Sequence, residues 1–336
     1  MPADAPDSSL EISPEISYVI TQHNKAAFLP LLVEAFAREG GDFTREYVFV
    51  DDGSSDESVA VLKGLAARLP GPLRLIEQEN GGASAATNNG VLAARARLVR
   101  LVDGDDLVTP GSTAQLREAM RTAGVEFAYG DLGKYAFDQP FAEPAPDFPA
   151  PVPLRDGAGL ARFIRNCPVN SSAILMTADL YRRCGGCNET LVSPDYLLFL
   201  RAFAEGDGVH LPAPVARIPT EAPGRLSGQQ RRSRYESVLA LIILLEEQPA
   251  LPRSLAVQAY RRALSRSYNY ARLFGAKGLK NPMLWPYAFS KLSAPAQPLP
   301  AMRRALAAYT EDGRIERPTA WLPGAARRGV ARTRIG

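Results

Sequence analysis

The first hundred residues alternate short β-branched and aromatic runs with stretches whose apolar positions recur every three or four residues. Ile16 to Ile20 (ISYVI) reads as a strand, and Phe28 to Ala37 as a helix with Pro30 near its start, where a missing amide proton is tolerated. Tyr47 to Val50 (YVFV) is a second strand. Ser54 stands three residues before Glu57, the spacing of a capping box, and Val59, Leu62, Leu65, Ala66 and Leu69 follow at helical spacing. Leu73 to Ile76 is a third strand, Ser84 to Ala96 an alanine-rich helix, and Leu98 to Val102 a fourth strand. Strands separated by helices of this length build parallel βαβ units. Ligands of such sheets bind beyond the carboxyl ends of the strands, so the residues leaving each strand matter most for function.

After Asp131 the pattern loosens. Gln139 to Pro153 holds six prolines and reads as an extended loop, while Tyr196 to Ala204 (YLLFLRAFA) is a strongly apolar helix. His210 falls on a strand near the end of the sheet, where a structural role is favoured. From Gln229 onward the chain reads as helical, with basic and apolar residues interleaved. The expected plan is a disordered tail over 1–14, an α/β domain over 15–228, a helical C-terminal region over 229–326, and a second disordered tail over 327–336.

Charge sharpens this division. Residues 225–336 carry 20 Lys/Arg against 6 Asp/Glu, a balance of +14 behind a body of −11. A basic tail of this kind suits an anionic partner such as a membrane surface, or packing against the acidic half of the same protein. Arg261, Arg262 and Arg266 beside Leu264 and Tyr268 fit an interfacial helix loosely, with subunit packing in a homo-oligomer as the alternative. Nucleic acid is not expected, because the arginines sit among Leu, Ala and Tyr as on amphipathic faces. The N-terminus has no basic segment followed by an apolar run, and the longest apolar stretch, Val238 to Leu245, is too short to span a bilayer. With three cysteines, two of them as Cys184-Gly-Gly-Cys187, neither a disulfide framework nor a zinc site is expected, which suits a cytoplasmic protein.

The strand exits carry the chemistry. Strand one ends in Thr21-Gln22-His23-Asn24, strand two in Asp51-Asp52-Gly53-Ser54, the third in Asn80-Gly81-Gly82-Ala83-Ser84, and the fourth in Asp103-Gly104-Asp105-Asp106. Two acidic clusters and a glycine turn thus converge on one edge. So many carboxylates together call for a cation or hydrogen-bond donors. Asp103, Asp105 and Asp106 offer only oxygen ligands, the set preferred by Mg²⁺ or Mn²⁺ carrying a diphosphate. Farther along, Ser193-Pro194-Asp195 reads as the N-cap, N1 and N2 of a helix, where an acid complements the macrodipole and is favoured in its ionised form.

ISYVITQHN, EYVFVDDGSSDES, NGGASAATNNGVLAA, RLVDGDDLVTP and CGGCNETLVSPDYLLFLRA occur in this order, and together they resemble the family 2 glycosyltransferases. The resemblance covers residues 15 to 225. It implies a GT-A fold, a Rossmann-like, mostly parallel sheet flanked by helices, here with a C-terminal helical appendage. It also implies an inverting, metal-dependent transfer of a sugar from a nucleotide-diphosphate donor to an acceptor hydroxyl, as in bacterial cell-surface polysaccharide or glycoconjugate synthesis. By the same resemblance Thr21, His23, Asn24, Asp52 and Gly82 would face the donor nucleotide, Asp52 accepting from a base N–H. Asp103 would lie near ribose and metal, Asp105 would bind Mn²⁺ or Mg²⁺ directly, and Asp195 would be the catalytic base. The acceptor would be a glycan, a lipid-linked sugar or a small molecule.

Some positions depart from the family pattern. His23 stands where a tyrosine is usual, Pro194 where glutamate is frequent, and Cys187 where an aromatic is. Thr87 replaces an arginine of the NGG segment, and Arg225, in a stretch that often closes over the diphosphate, is the candidate to replace its charge. A non-catalytic sugar-nucleotide-binding scaffold is the competing reading, against which the intact Asp52, Asp103, Asp105 and Asp195 stand.

Overall fold

The computed structural model of the chain describes residues 13–306 and 309, apart from 145, 222–229 and 276. The four expected strands are β1 (Ile16–Gln22), β2 (Arg45–Asp52), β3 (Leu73–Gln78) and β4 (Leu98–Asp103), paired in parallel in the order β3-β2-β1-β4. Between them lie α1 (Leu29–Glu39), α2 (Ser58–Leu65) and α3 (Ala83–Ala93). Every residue of β2 is buried, as is expected of a strand covered by helices on both faces. The capping box expected at Ser54 does not form. Ser54 instead turns back to donate to Asp51, and Asp56 accepts from the Ser58 amide at the start of α2.

The second half of the sheet was less visible in the sequence. After β5 (Leu107–Val108) and α4 (Ser112–Ala123), β6 (Phe127–Tyr135) runs through the region where periodicity fades. The proline-rich loop ends in β7 (Val152–Leu154), followed by α5 (Ala158–Arg165), β8 (Ile174–Thr177), α6 (Ala178–Arg183), α7 (Asp195–Glu205) and β9 (Gly208–Pro219). β8 is antiparallel to both β4 and β6, and β6 pairs in parallel with β9, which extends the sheet to nine strands. The loop itself is tied down at Arg217, whose guanidinium donates to the Glu143 and Pro144 carbonyls at 2.9 and 2.7 Å. His210 takes the structural place expected of it. It stacks on Tyr129, and its Nε2 lies 2.9 Å from Asp131.

The helices that follow are α8 (Gln230–Glu247), α9 (Arg253–Phe274), α10 (Leu284–Leu292) and α11 (Leu299–Ala305). They share one continuous core with the sheet domain. Leu239, Leu241, Ile242 and Leu244 of α8 are fully buried, so the apolar run that is too short for a membrane is a core helix. Arg201 of α7 forms a bidentate pair with Glu247 of α8 and also donates to the Gly186 carbonyl at 2.7 Å. The α9 arginines expected on a partner-facing side are partly turned inward. Arg261 donates to the Ser290 carbonyl, and Arg266 donates to the Ser237 carbonyl and lies over the Tyr196 ring. Arg261 binds a backbone oxygen in the last turn of α10, and Arg266 binds a backbone oxygen of α8 and an aromatic face, which a guanidinium suits better than an ammonium. Among the described residues no helix is long and apolar enough to cross a membrane.

Candidate functional site

Two glycines let the strand exits approach one another. A Cβ on Gly104 would meet Gln22 Cβ and the Thr21 carbonyl at 3.0 Å, and its amide donates to that carbonyl at 2.9 Å. Any larger residue between Asp103 and Asp105 would therefore press on β1 where β4 leaves the sheet. Gly53 has φ +70, and a Cβ there would meet the Asn80 amide at 2.9 Å, which brings the β2 exit onto the β3 exit.

Asp52, buried at the end of β2, is the hub of this half. Its carboxylate accepts from the Gly81 and Gly82 amides at 2.8 and 2.9 Å and from Gln78 Nε2 at 2.8 Å. The glycine turn is thus moulded around Asp52, and the Gly82 amide points at that carboxylate. His23 is exposed, and its Nδ1 donates to the Asp52 carbonyl at 2.8 Å, which holds the ring beside the end of β2. Asn24 has φ 53 and accepts through Oδ1 from the Ser55 and Asp56 amides, so its side chain shapes the loop. Thr21 sits at the last β1–β4 pair, opposite Asp103. Thr87 donates to the Ala83 carbonyl inside its own helix. Arg225 lies outside the described residues.

The second half gathers acids. Asp105, 7% exposed at its side chain, is paired with Lys25 Nζ at 2.8 Å. Asp103 accepts from Ser171 Oγ at 2.7 Å and from Asn170 Nδ2 at 3.3 Å, while Asp106 accepts from Asn170 Nδ2 and Ser172 Oγ at 2.6 and 2.8 Å. Burial, with Asp103 and Asp105 beside it, pushes the Asp106 carboxyl well above the usual carboxylate range. Asp106 is thus a buried pillar of the turn, whereas Asp103 is only partly buried.

Asp195 is the first residue of α7, with Pro194 at the N-cap, one position earlier in the helix than its sequence suggests. Burial, then the charge of Asp103, pushes its carboxyl up to about 7, and hydrogen bonds from Ser171 partly oppose this. The helix terminus alone was expected to keep it ionised. A helix end contributes about 0.3–1 kcal/mol, less than burial beside a second carboxylate takes away. Ser171 lies between these two acids, donating to Asp103 and facing Asp195.

The residues missed by sequence reasoning are those that hold the acids in place. They are Lys25, the Asn170-Ser171-Ser172 run, and Glu236 of α8. Glu236 is buried, accepts from the Val192 and Ser193 amides at 3.0 and 2.9 Å, and pairs with Arg232 at 2.7 Å. A polar triplet directly before an apolar strand is a visible signal for the first group. Nothing local marks Glu236, which meets its partners 43 and 44 residues away.

For a divalent ion the available donors are the Asp103 and Asp105 carboxylates, both hard oxygen ligands at one strand exit. Among the described residues no group of three or more His, Cys, Asp or Glu side chains is arranged to hold a metal. Two carboxylates fit an ion that takes its other ligands from phosphates and water, as Mg²⁺ characteristically does. The Lys25 ammonium already on Asp105 marks that carboxylate as a cation-binding group. The cysteines are not part of any such site: burial pushes Cys184 and Cys187 up to about 11 and about 12, as expected of inert core thiols.

Comparison with known proteins covers the same stretch. Residues 17–176 match the family model "Glycosyl transferase family 2". The succinoglycan biosynthesis protein ExoO of Rhizobium meliloti is 35% identical over 128 residues, 37% of this chain and 35% of ExoO. The putative glycosyltransferase EpsH of Bacillus subtilis is 30% identical over 114 residues, 34% of this chain and 32% of EpsH. The aligned region thus spans about a third of these relatives. Two solved structures share the fold over most of the chain. S. aureus TarS 1-349 in complex with UDP-GlcNAc matches with a TM-score of 0.63 at 15% identity, covering 88% of this chain and 89% of that one. The mannosyltransferase PcManGT from Pyrobaculum calidifontis, in complex with GDP-Man and Mn2+, matches with a TM-score of 0.55 at 18% identity, covering 91% and 88%.

Proposed function

We propose that the protein is a family 2 glycosyltransferase, the family whose model matches residues 17–176, and that it transfers a sugar, with inversion, from a nucleoside diphosphate sugar to an acceptor hydroxyl. The observation that carries this reading is the gathering of Asp103 and Asp195 about Ser171 at the exit of β4, with Asp105 beside them. Asp52 and the glycine turn form a hollow ringed by hydrogen-bonding groups, and Asp103 with Asp105 forms an acidic edge. Ser171 links that edge to Asp195. Nucleoside diphosphate sugars are what the similar structures named above hold, and a relative acts in succinoglycan biosynthesis, which supports a donor of that class and a role in polysaccharide assembly.

Each residue has a task in this reading. Thr21, His23 and Asp52 receive the nucleobase, with the remaining lone pair of Asp52 accepting a base N–H. Asn24 and Gly82 keep the walls of that hollow in shape, and Arg225 serves the diphosphate. Asp103 and Asp105 would hold Mn²⁺ or Mg²⁺, which supplies positive charge to a diphosphate leaving group when bound. Asp195 takes the proton from the acceptor hydroxyl as that oxygen attacks the anomeric carbon from the face opposite the leaving group. A carboxylate with its pKa near 7 is well matched to that transfer, being a stronger base than an ordinary aspartate yet about half ionised at neutral pH. Asn170 and Ser172 hold the β4 exit, and Glu236 holds the loop in front of Asp195.

The test is a thermal-shift and product screen of the full chain against nucleoside diphosphate sugars, each with Mn²⁺, Mg²⁺ or chelator. The expected result is a metal-dependent stabilisation by one nucleotide class, about 2.7 kcal/mol at a hundred times its dissociation constant. Release of that nucleoside diphosphate when acceptor is added completes the expectation. Stabilisation without turnover, over a range of glycan and lipid-linked acceptors, would favour the scaffold reading.

A further inference from the structure

Helix α10 presents Trp285, Phe289 and Leu292 at i, i+4 and i+7, a single stripe of a helix surface. They are 59%, 59% and 82% exposed, and the two aromatic rings lie 6.1 Å apart, so the stripe is one continuous apolar surface. Leu279, 83% exposed, stands in the turn before it between Lys277 and Lys280, both exposed as well. The opposite side of the same stretch carries buried Met283 and Ser290, which dock it on the rest of the protein. The stripe is therefore not a misplaced core face.

One flank of α10 borders a groove of about 260 Å³ whose lining includes Arg165, Arg261, Arg262 and Lys291. None of these four cations pairs with a carboxylate among the described residues. Arg262 Nε is buried there and finds no acceptor among the described residues. The sequence explains why: from 248 to 310 it contains ten Lys/Arg and not one Asp or Glu. A buried guanidinium N–H without an acceptor is costly unless an anion arrives from outside the chain.

We propose that α10 and the groove beside it seat the protein on an anionic phospholipid surface, the apolar stripe entering the headgroup–acyl boundary and the groove taking lipid phosphates. Aromatic side chains favour that boundary, and basic residues beside an in-plane helix are drawn to anionic leaflets. A second copy of this chain is disfavoured as the occupant, because it would bring the same unneutralised cations against themselves. This places membrane contact on α10 and the groove it shares with Arg261 and Arg262 of α9, and not on Arg266, which packs inward. It rests on no step of sugar transfer, so its failure and the failure of the transferase reading are separately visible.

The test uses the full chain with Trp321→Phe, which leaves Trp285 as its single tryptophan. On vesicles containing phosphatidylglycerol, Trp285 emission should shift to the blue and be quenched by lipids brominated near the headgroup. Vesicles of phosphatidylcholine alone should bind at least about tenfold more weakly, as expected when several cations each contribute severalfold. In flotation, Trp285→Ser with Phe289→Ser should lose binding, and Arg262→Gln with Lys291→Gln should lose the preference for anionic lipid. Nucleotide-induced thermal shifts should remain unchanged in all of them. Unshifted emission, or flotation of the serine variant equal to the parent, overturns the proposal. So does emission already blue without vesicles in a dimer that the serine variant dissolves, since that would make the stripe a protein interface.

Discussion

Asp195 is where residue-scale reasoning is most exposed to test. Its raised carboxyl titrates at about 7, so as the proposed base it becomes increasingly available as pH rises through that value. The rate of transfer should therefore rise with pH through about 7 and level off, and the limb should move to lower pH when a divalent ion offsets the charge of Asp103. Asp195→Asn should lower kcat by about 10²–10⁴-fold with donor affinity preserved, measured by steady-state kinetics beside nucleotide titration. A near-normal kcat in that variant would remove Asp195 from the mechanism. Lys25 gives a second test. Lys25→Met leaves the Asp105 carboxylate buried without its ammonium, which should cost about 1–3 kcal/mol of stability. Added Mn²⁺ with nucleoside diphosphate should then raise the melting temperature more in the variant than in the parent, because the ion replaces a lost charge. Equal gains in both would separate Asp105 from the metal.

The elements that position these residues come from opposite ends of the chain. β1 to β4 were legible because each strand is bounded by a periodic helix and a turn, and a buried parallel strand is a run of apolar residues whatever lies around it. β6 and β8 were not, and β9 was legible only as a strand about His210, because their pairing is mixed and each depends on a neighbour far away in sequence. The loop before α7 belongs to this second kind, being held by Glu236 from α8. Glu236→Ala should leave the Val192 and Ser193 amides without their acceptor and Arg232 without its partner. The expected cost is about 1–3 kcal/mol in denaturant unfolding. Transfer should show a lower kcat with an unchanged KM for donor, because the base swings while the Asp52 hollow stays intact. A variant destabilised but catalytically normal would make Glu236 a purely structural residue.

At the scale of the whole molecule, the buried face of α8 and the α7–α8 ion pair make the helical region part of the folding unit. We expect one cooperative calorimetric transition for the chain; two separated transitions would establish an independent C-terminal unit. The sequence by itself carried the resemblance to family 2 glycosyltransferases and put most of the candidate acids at the strand exits, because motifs at the ends of parallel strands are local in sequence and need only a turn to be presented. Tertiary structure alone decided what those acids experience. Asp195 is raised because α7 is pressed against Asp103, Asp52 is moulded into the NGG turn because β3 leaves the sheet beside β2, and Asp105 meets Lys25 from eighty residues away. Desolvation and Coulomb interaction depend on distance in space, which a sequence does not carry. The same reason governs the basic C-terminal region. Its charge could be counted from the sequence, but which cations turn inward and which apolar side chains remain outside was decided only when α9 and α10 packed together.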